Sequence, residues 1–139
     1  MTVVVDASVV IRWLLQDPQH KAGTDKATQL MQQVTGGGQP ALQPPHWLAE
    51  VGALLVRETP HTAADDITML SGLELPTTDD PLILRRAVEL AIRLKQHVSD
   101  TFYHAVALET PDATLVTADE RYLKAARAQG QIIHLLDWT

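Results

Sequence analysis

Hydrophobic residues occur along the chain in short continuous runs separated by longer amphipathic segments. The clearest runs, at residues 2–5 and 113–117, are rich in β-branched side chains, which is typical of strands buried on both faces of a parallel sheet. The weaker segments 41–43, 73–75 and 131–135 are also predicted strands. The pattern therefore predicts a sheet of about five strands.

The amphipathic segments repeat apolar residues every three to four positions, the spacing of a helix with one buried face. Helices are predicted at residues 7–15, 24–34, 44–57, 62–70, 82–96, 100–109 and 120–128. Strands alternate with these helices and no hairpin signal is present. This indicates one α/β domain over residues 1–139, an α/β/α sandwich in which helices flank a central parallel sheet.

Composition narrows the class of protein. A chain of 139 residues is long enough for one domain with its own core, and no apolar run approaches the roughly 20 residues that span a bilayer. The absence of cysteine excludes disulfides, zinc–thiolate sites and a cysteine nucleophile. No basic leader precedes an apolar segment at the N-terminus, so we expect a cytoplasmic protein.

The net charge of −6 argues against a protein that holds nucleic acid by overall electrostatic attraction. Bound cations would cancel part of this charge if several acids were metal ligands. A nuclease also needs positive potential only along the substrate path, and eleven Lys and Arg residues are available for it. The charge alone therefore does not exclude a nucleic-acid substrate.

Four of the seventeen acidic residues lie in apolar sequence where elements of the fold should converge. Asp6 and Asp119 follow predicted strands, Asp100 opens a predicted helix, and Glu50 lies at the edge of an apolar helical stripe. Each has a simpler interpretation: a helix cap for the two strand-end aspartates, a first-turn acid for Asp100, a surface residue for Glu50. Taken together, they predict a carboxylate cluster at the carboxyl edge of the sheet.

A carboxylate cluster of this kind predicts a metal site. Neighbouring carboxylates repel one another and lose solvation when buried, so the cluster costs stability unless cations occupy it. Ligation by oxygen alone selects Mg²⁺ or Mn²⁺. One or two such ions suit phosphodiester hydrolysis, because they acidify the attacking water and stabilise the leaving oxygen.

Other polar residues lie close to these acids in the sequence. Ser8 and Thr117 fall within two residues of the strand-end aspartates, and their hydroxyls are candidates to bind a carboxylate or a metal-bound water; ordinary turn chemistry is the alternative. His104 follows Asp100 by one helical turn and is a candidate to orient a ligand or contact substrate; a packing histidine is the alternative. The polar face of the helix 82–96 is basic, and its residues are candidates to contact the substrate: Arg85, Arg86, Arg93 and Lys95.

Four stretches of the chain resemble the PIN domain, and within it the VapC-type toxins of bacterial and archaeal toxin–antitoxin pairs. They are VVVDASV, HWLAEVGALL, SDTFYHAVAL and VTADERYLKAA, in the expected order and across essentially the whole chain. The resemblance implies a Mg²⁺- or Mn²⁺-dependent endoribonuclease, usually homodimeric, silenced by a small antitoxin that inserts a segment into the acidic groove. The four acidic positions of the family correspond to Asp6, Glu50, Asp100 and Asp119, and its hydroxyl before the last acid to Thr117.

Three other functions fit part of the pattern. A phospho-acceptor receiver domain would need an acid pair near the first strand and a lysine ending a late strand, and a haloacid-dehalogenase-type phosphatase would need Asp-x-Asp. The chain has Asp6-Ala7-Ser8 instead, which weakens both. A non-catalytic binding module with the PIN fold stays open, although the presence of all four acids argues against it.

Overall fold

The computed structural model describes residues 1–139, and its core is a parallel sheet of three strands. These are β1 (Thr2–Val5), β2 (Ala113–Thr117) and β3 (Ile132–His134), in the order β1-β2-β3. Successive strand residues point to opposite faces, yet Val3, Val4 and Val5 are all buried. Both faces of the sheet are therefore covered, as the β-branched runs predicted.

Seven α-helices and three short 3₁₀ turns surround the sheet. The helices are α1 (Ala7–Leu15), α2 (Lys21–Thr35), α3 (Trp47–Glu58), α4 (Ala63–Gly72), α5 (Pro81–Leu94), α6 (Val98–Leu108) and α7 (Glu120–Ala126). The 3₁₀ turns are Pro18–His20, Arg127–Gln129 and Leu135–Asp137. Helix α6 packs on β1 and β2, α1 on β2 and α7 on β3, which confirms the predicted α/β class with helices flanking a parallel sheet. No helix combines the length and the apolar character needed to cross a membrane.

The predicted strand at 41–43 is wrong, because a side chain takes over part of its pairing. The backbone runs beside β1 and makes only two isolated bridges, between Ala41 and Val3 and between Gln43 and Thr77. At the end of β1, the N–H of Val5 donates to Oε1 of Gln43 (2.8 Å), and Nε2 of Gln43 donates to the carbonyl of Val5 (2.9 Å). Gln43 is fully buried, so its amide closes this edge of the sheet directly before Asp6.

The predicted strand at 73–75 is wrong for a different reason. The N–H of Leu73 donates to the carbonyl of Leu70 and so continues the end of α4. Glu74 then adopts a positive φ of 50°, which is incompatible with an extended strand. The sheet therefore has three strands and not five.

Some predicted helices begin at other residues. Helix α3 starts at Trp47, because Pro44 and Pro45 form the turn that precedes it. Helix α6 starts at Val98, two residues earlier than predicted, and keeps Asp100 in its first turn. These shifts leave the acidic residues on the elements to which the sequence assigned them.

Candidate active site

Asp6 and Asp119 lie together at the carboxyl edge of the sheet. Asp6 directly follows β1 and Asp119 is two residues beyond β2, and these strands are neighbours with Val5 opposite Val116. Each aspartate also caps the helix after it: Asp6 accepts from the N–H of Ser8 (3.1 Å) and Asp119 from the N–H of Tyr122 (3.0 Å). The capping role and the position at the edge of the sheet are thus compatible.

The hydroxyls of Ser8 and Thr117 connect the two strand ends. Both donate to Oδ2 of Asp6, Ser8 over 2.5 Å and Thr117 over 3.3 Å. Each hydroxyl oxygen in turn accepts a backbone N–H, from Ala118 at Ser8 (2.9 Å) and from Asp119 at Thr117 (3.0 Å). This network fixes the carboxylate of Asp6 and leaves its Oδ1 without a hydrogen bond.

A histidine connects the two helices that carry the other acids. Nε2 of His46 lies 3.0 Å from Oε2 of Glu50 on α3 and 2.9 Å from the carbonyl oxygen of Ser99 on α6. Asp100 is the next residue of α6. The imidazole of His46 also stacks on Phe102, with ring centroids 5.0 Å apart and an interplanar angle of 21°. These contacts of His46 therefore hold the first turn of α3, which carries Glu50, next to the first turn of α6, which carries Asp100.

The four acids influence one another electrostatically. Burial raises the pKa of Asp6 from 3.8 to about 6; the hydrogen bonds from Ser8 oppose the increase, and the charges of Asp100 and Glu50 add to it. Burial also raises the pKa of Asp100, and the charges of Glu50 and Asp119 raise it further. Four acids from four separate elements thus share one electrostatic environment.

The donor set of this cluster fits a hard divalent cation. Each carboxylate keeps an oxygen without a hydrogen bond: Oδ1 of Asp6, Oε1 of Glu50, Oδ2 of Asp119 and both oxygens of Asp100. Such oxygens are the ligands that Mg²⁺ and Mn²⁺ prefer. No three His, Cys, Asp or Glu side chains stand as a completed ligand set. Binding would therefore require adjustment of the side chains.

His104 is a packing residue, and the expectation that it contacts ligand or substrate is wrong. It is fully buried, with Nδ1 3.0 Å from the hydroxyl of Tyr122 and Nε2 2.8 Å from the carbonyl oxygen of Gly130. Burial lowers the pKa of His104. Both ring nitrogens already have partners within the fold, so neither is available to a ligand.

The two arginines of α5 named as candidate substrate contacts are already paired with glutamates. Arg85 bonds Glu89 (3.0 Å) on the same helix. Arg86 lies 3.5 Å from Glu109, directly after α6. Glu109 is nine residues from Asp100, or about 13 Å along a helix axis. Their role in guiding RNA stays a prediction, and the structure does not bring Arg86 to the carboxylates.

The sequence did not single out three residues at the site. His46 precedes Glu50 by one helical turn, and that spacing was the available signal. Tyr103 is buried one turn after Asp100, and its hydroxyl has no hydrogen-bond partner. Burial raises the pKa of Tyr103, and the charges of the nearby acids raise it further.

Arg12 is the third residue that the sequence did not single out. It lines two cavities, one of about 640 Å³ that includes Asp119 and one of about 350 Å³ that includes Ser8 but none of the four acids. Arg12 has no ion pair with a carboxylate, in contrast to Arg85 and Arg86. Nothing in the sequence separates it from the other basic residues.

Comparison with known families identifies the fold. The model of the PIN domain family matches residues 3–128, a span that contains all four acids. The chain belongs to the PIN domain family. No curated protein is similar enough to match it. PIN domains are generally metal-dependent nucleases, which supports a hydrolase acting on nucleic acid. The receiver-domain and phosphatase alternatives do not fit this assignment.

Proposed function

We propose that this PIN domain is a Mg²⁺- or Mn²⁺-dependent endoribonuclease and the toxin of a toxin–antitoxin pair. It acts in the cytoplasm as a homodimer, and a small VapB-like antitoxin silences it. One observation carries the catalytic part of the proposal. Four carboxylates that influence one another electrostatically, each with a free oxygen, come from α3, α6 and the segments directly after β1 and β2.

The residues of the site have different roles in the proposed hydrolysis. Bound cations would supply a water acidic enough to attack phosphorus and a charge to stabilise the leaving oxygen. Asp6, Glu50, Asp100 and Asp119 would hold the cations. No side-chain nucleophile is then required, and the hydroxyl of Ser8 instead fixes Asp6, to which it donates, while it accepts from the backbone N–H of Ala118. Water is therefore the attacking group.

The surroundings of the acids suit a polyanionic substrate in spite of the net charge of −6. The cavity that includes Asp119 is also lined by Arg12, which has no ion pair, and by Lys21, which lies 3.7 Å from Asp25. Local cations near the scissile position attract phosphates where overall charge does not. RNA as the preferred nucleic acid rests on the resemblance to VapC-type toxins.

The same resemblance supports the antitoxin. An acidic, partly exposed cluster is complementary to a basic peptide segment, and such a segment would exclude RNA by occupying the groove. The neighbouring genes provide a direct check. A short open reading frame adjoining or overlapping this one, whose product binds the PIN domain, is the expected finding.

Cleavage of RNA tests the catalytic proposal. We expect wild-type protein to cut RNA with Mn²⁺ or Mg²⁺ and not with EDTA, and we expect Asp6→Asn and Asp100→Asn to abolish cutting. Asp65→Asn, which changes an exposed acid on α4, is the matched control and should cut like wild type. Metal-dependent cleavage that survives both site substitutions would refute the site. Binding of RNA without cleavage by wild type would favour the non-catalytic module.

A further inference from the structure

His46 makes contacts that a surface histidine does not need. Its Nε2 is within hydrogen-bond distance of two acceptors, the carboxylate of Glu50 (3.0 Å) and the carbonyl of Ser99 (2.9 Å). A carbonyl oxygen can only accept, so Nε2 must carry the proton and donate. The sharing of this proton fixes the ring between α3 and α6.

The other side of the ring is packed. His46 stacks on Phe102 at 5.0 Å and lies at a tilt against Tyr103 at 5.1 Å, measured between ring centroids. Its Nδ1 is buried without a hydrogen-bond partner. The packing leaves the imidazole one orientation, in which Nε2 faces the carboxylate.

These contacts act on two of the acids at once. Glu50 is held through its Oε2, which leaves Oε1 free, and the carbonyl of Ser99 belongs to the peptide that leads directly to Asp100. A carboxylate on a flexible side chain loses rotamer freedom when it binds a cation, and a fixed donor removes part of that cost beforehand. The ring thus sets both the direction of Glu50 and its separation from the start of α6.

We propose that His46 is a positioning residue that presents Glu50, together with Asp100, to a divalent cation. This inference rests on the proposed function, because it assumes that these acids bind metal. The hydrogen bond from Nε2 carries the effect, and the stacking on Phe102 only holds the ring in place. The two contributions can be separated by substitution.

Two substitutions separate the contribution of the hydrogen bond from Nε2 from that of the stacking on Phe102. His46→Phe keeps an aromatic ring for the stack but removes the donor, whereas His46→Gln keeps an N–H near the position of Nε2 but removes the stack. We expect Mn²⁺ binding, measured by calorimetry on the whole chain, to weaken about tenfold in H46F and to stay close to wild type in H46Q. The melting temperature of the metal-free protein should show the opposite order, with H46Q lower than H46F.

A double-mutant cycle assigns the effect to Glu50. In a Glu50→Gln background, His46→Phe should cause little further loss of Mn²⁺ affinity, since the carboxylate that it positions is gone. A full additional loss in that background would overturn the proposal. Equal weakening in H46F and H46Q would also overturn it, because the ring and not its N–H would then matter.

NMR of the wild-type protein tests the role of His46 without any substitution. The ¹⁵N shifts of the His46 imidazole should show the Nε2–H tautomer, and addition of Mg²⁺ should shift them in parallel with binding. An Nδ1–H tautomer would overturn the inference. Wild type that binds neither Mn²⁺ nor Mg²⁺ would refute the proposed function itself, whereas binding unchanged by H46F would refute only the role of His46.

Discussion

At the scale of one residue, Asp6 is a carboxylate that hydrogen bonds fix in place, although its charge destabilises the fold. It caps α1 and accepts from two hydroxyls, which favours its ionised form, yet it is only 8% exposed and close to other acids. Burial has the larger effect, so its pKa rises to about 6. In the absence of a cation, ionisation of Asp6 therefore weakens the fold.

Replacement of Asp6 by asparagine should stabilise the metal-free protein. Asn is as good a helix cap as Asp and can accept the same hydrogen bonds, but it carries no charge. The folded pKa of Asp6, about 6, lies above its ordinary value of 3.8, so wild type is penalised progressively as pH rises through this window. The advantage of D6N should be small near pH 4 and grow to at most about 3 kcal/mol near pH 8.

Denaturant unfolding in EDTA at several pH values measures this difference. A D6N variant that is less stable than wild type near pH 8, or an advantage that does not change with pH, would contradict the prediction. Asp100→Asn should behave in the same way, because the pKa of Asp100 is also raised. The expectation does not extend to Glu50, whose carboxylate accepts a hydrogen bond from His46.

Two histidines with the same spacing from a predicted ligand have different roles, and the sequence alone does not distinguish them. His46 precedes Glu50 by four residues and His104 follows Asp100 by four, so both share a helix face with a predicted ligand. His46 bonds the carboxylate of its glutamate, whereas His104 bonds Tyr122 and Gly130 in the core. The difference depends on which element packs on each helix. The four acids, in contrast, could be selected from the seventeen acidic residues because apolar sequence surrounds them.

At the scale of elements, the two strands with β-branched runs and the weaker strand at 131–135 were predictable, whereas the predicted strands at 41–43 and 73–75 were wrong. Gln43 replaces part of the predicted strand at 41–43 by bonding both backbone groups of Val5 through its side chain. A polar residue at the end of an apolar run predicts a turn, so this role cannot be read from the pattern. The contact lies one residue before Asp6 and so supports the site.

Replacement of Gln43 by methionine should destabilise the protein strongly. Met has nearly the same length but cannot donate or accept, so the buried N–H and C=O of Val5 lose their partners. We expect a loss of about 2–4 kcal/mol in the free energy of unfolding, measured with urea. The control is Gln33→Met on the exposed face of α2. A loss no larger than that of the control would show that water replaces the amide.

At the scale of the whole molecule, the placement of charge matters more than its sum. Arg12 has no ion pair and lines the cavity that includes Asp119, whereas Arg85 and Arg86 are paired with glutamates. We therefore expect Arg12→Gln to weaken RNA binding more than the double change of Arg85 and Arg86 to Gln. In a non-cleaving Asp100→Asn background, R12Q should reduce the slope of log K against log salt by about 1.

The same measurement of RNA binding against salt concentration tests the expectation that the basic face of α5 guides RNA. Changes at Arg85 and Arg86 should alter the slope less than R12Q does, since each arginine already faces a glutamate that repels phosphates. A larger effect of the α5 change would instead place the path of RNA across α5. An unchanged slope in both variants would show that neither group contacts phosphates.

An exposed apolar stripe on α5 is the surface through which we expect the proposed homodimer to form. Leu84, Val88 and Ile92 recur at intervals of four residues, on one face of the helix, and are 44%, 40% and 75% exposed. Contiguous apolar surface of this kind favours burial against a partner. The predicted homodimer would cover this stripe by packing two α5 helices together, because a two-fold interface places the same patch on both subunits.

Introduction of charge into the stripe tests this arrangement. We expect light scattering on the eluting wild type to give twice the chain mass of 15.3 kDa, and the double variant Val88→Glu, Ile92→Glu to give the single-chain mass. Val56→Glu on α3, where the side chain is 64% exposed outside the stripe, is the control and should stay dimeric. A dimer that persists in the α5 variant would move the interface elsewhere, because two buried glutamates facing their symmetry mates would be too costly to tolerate.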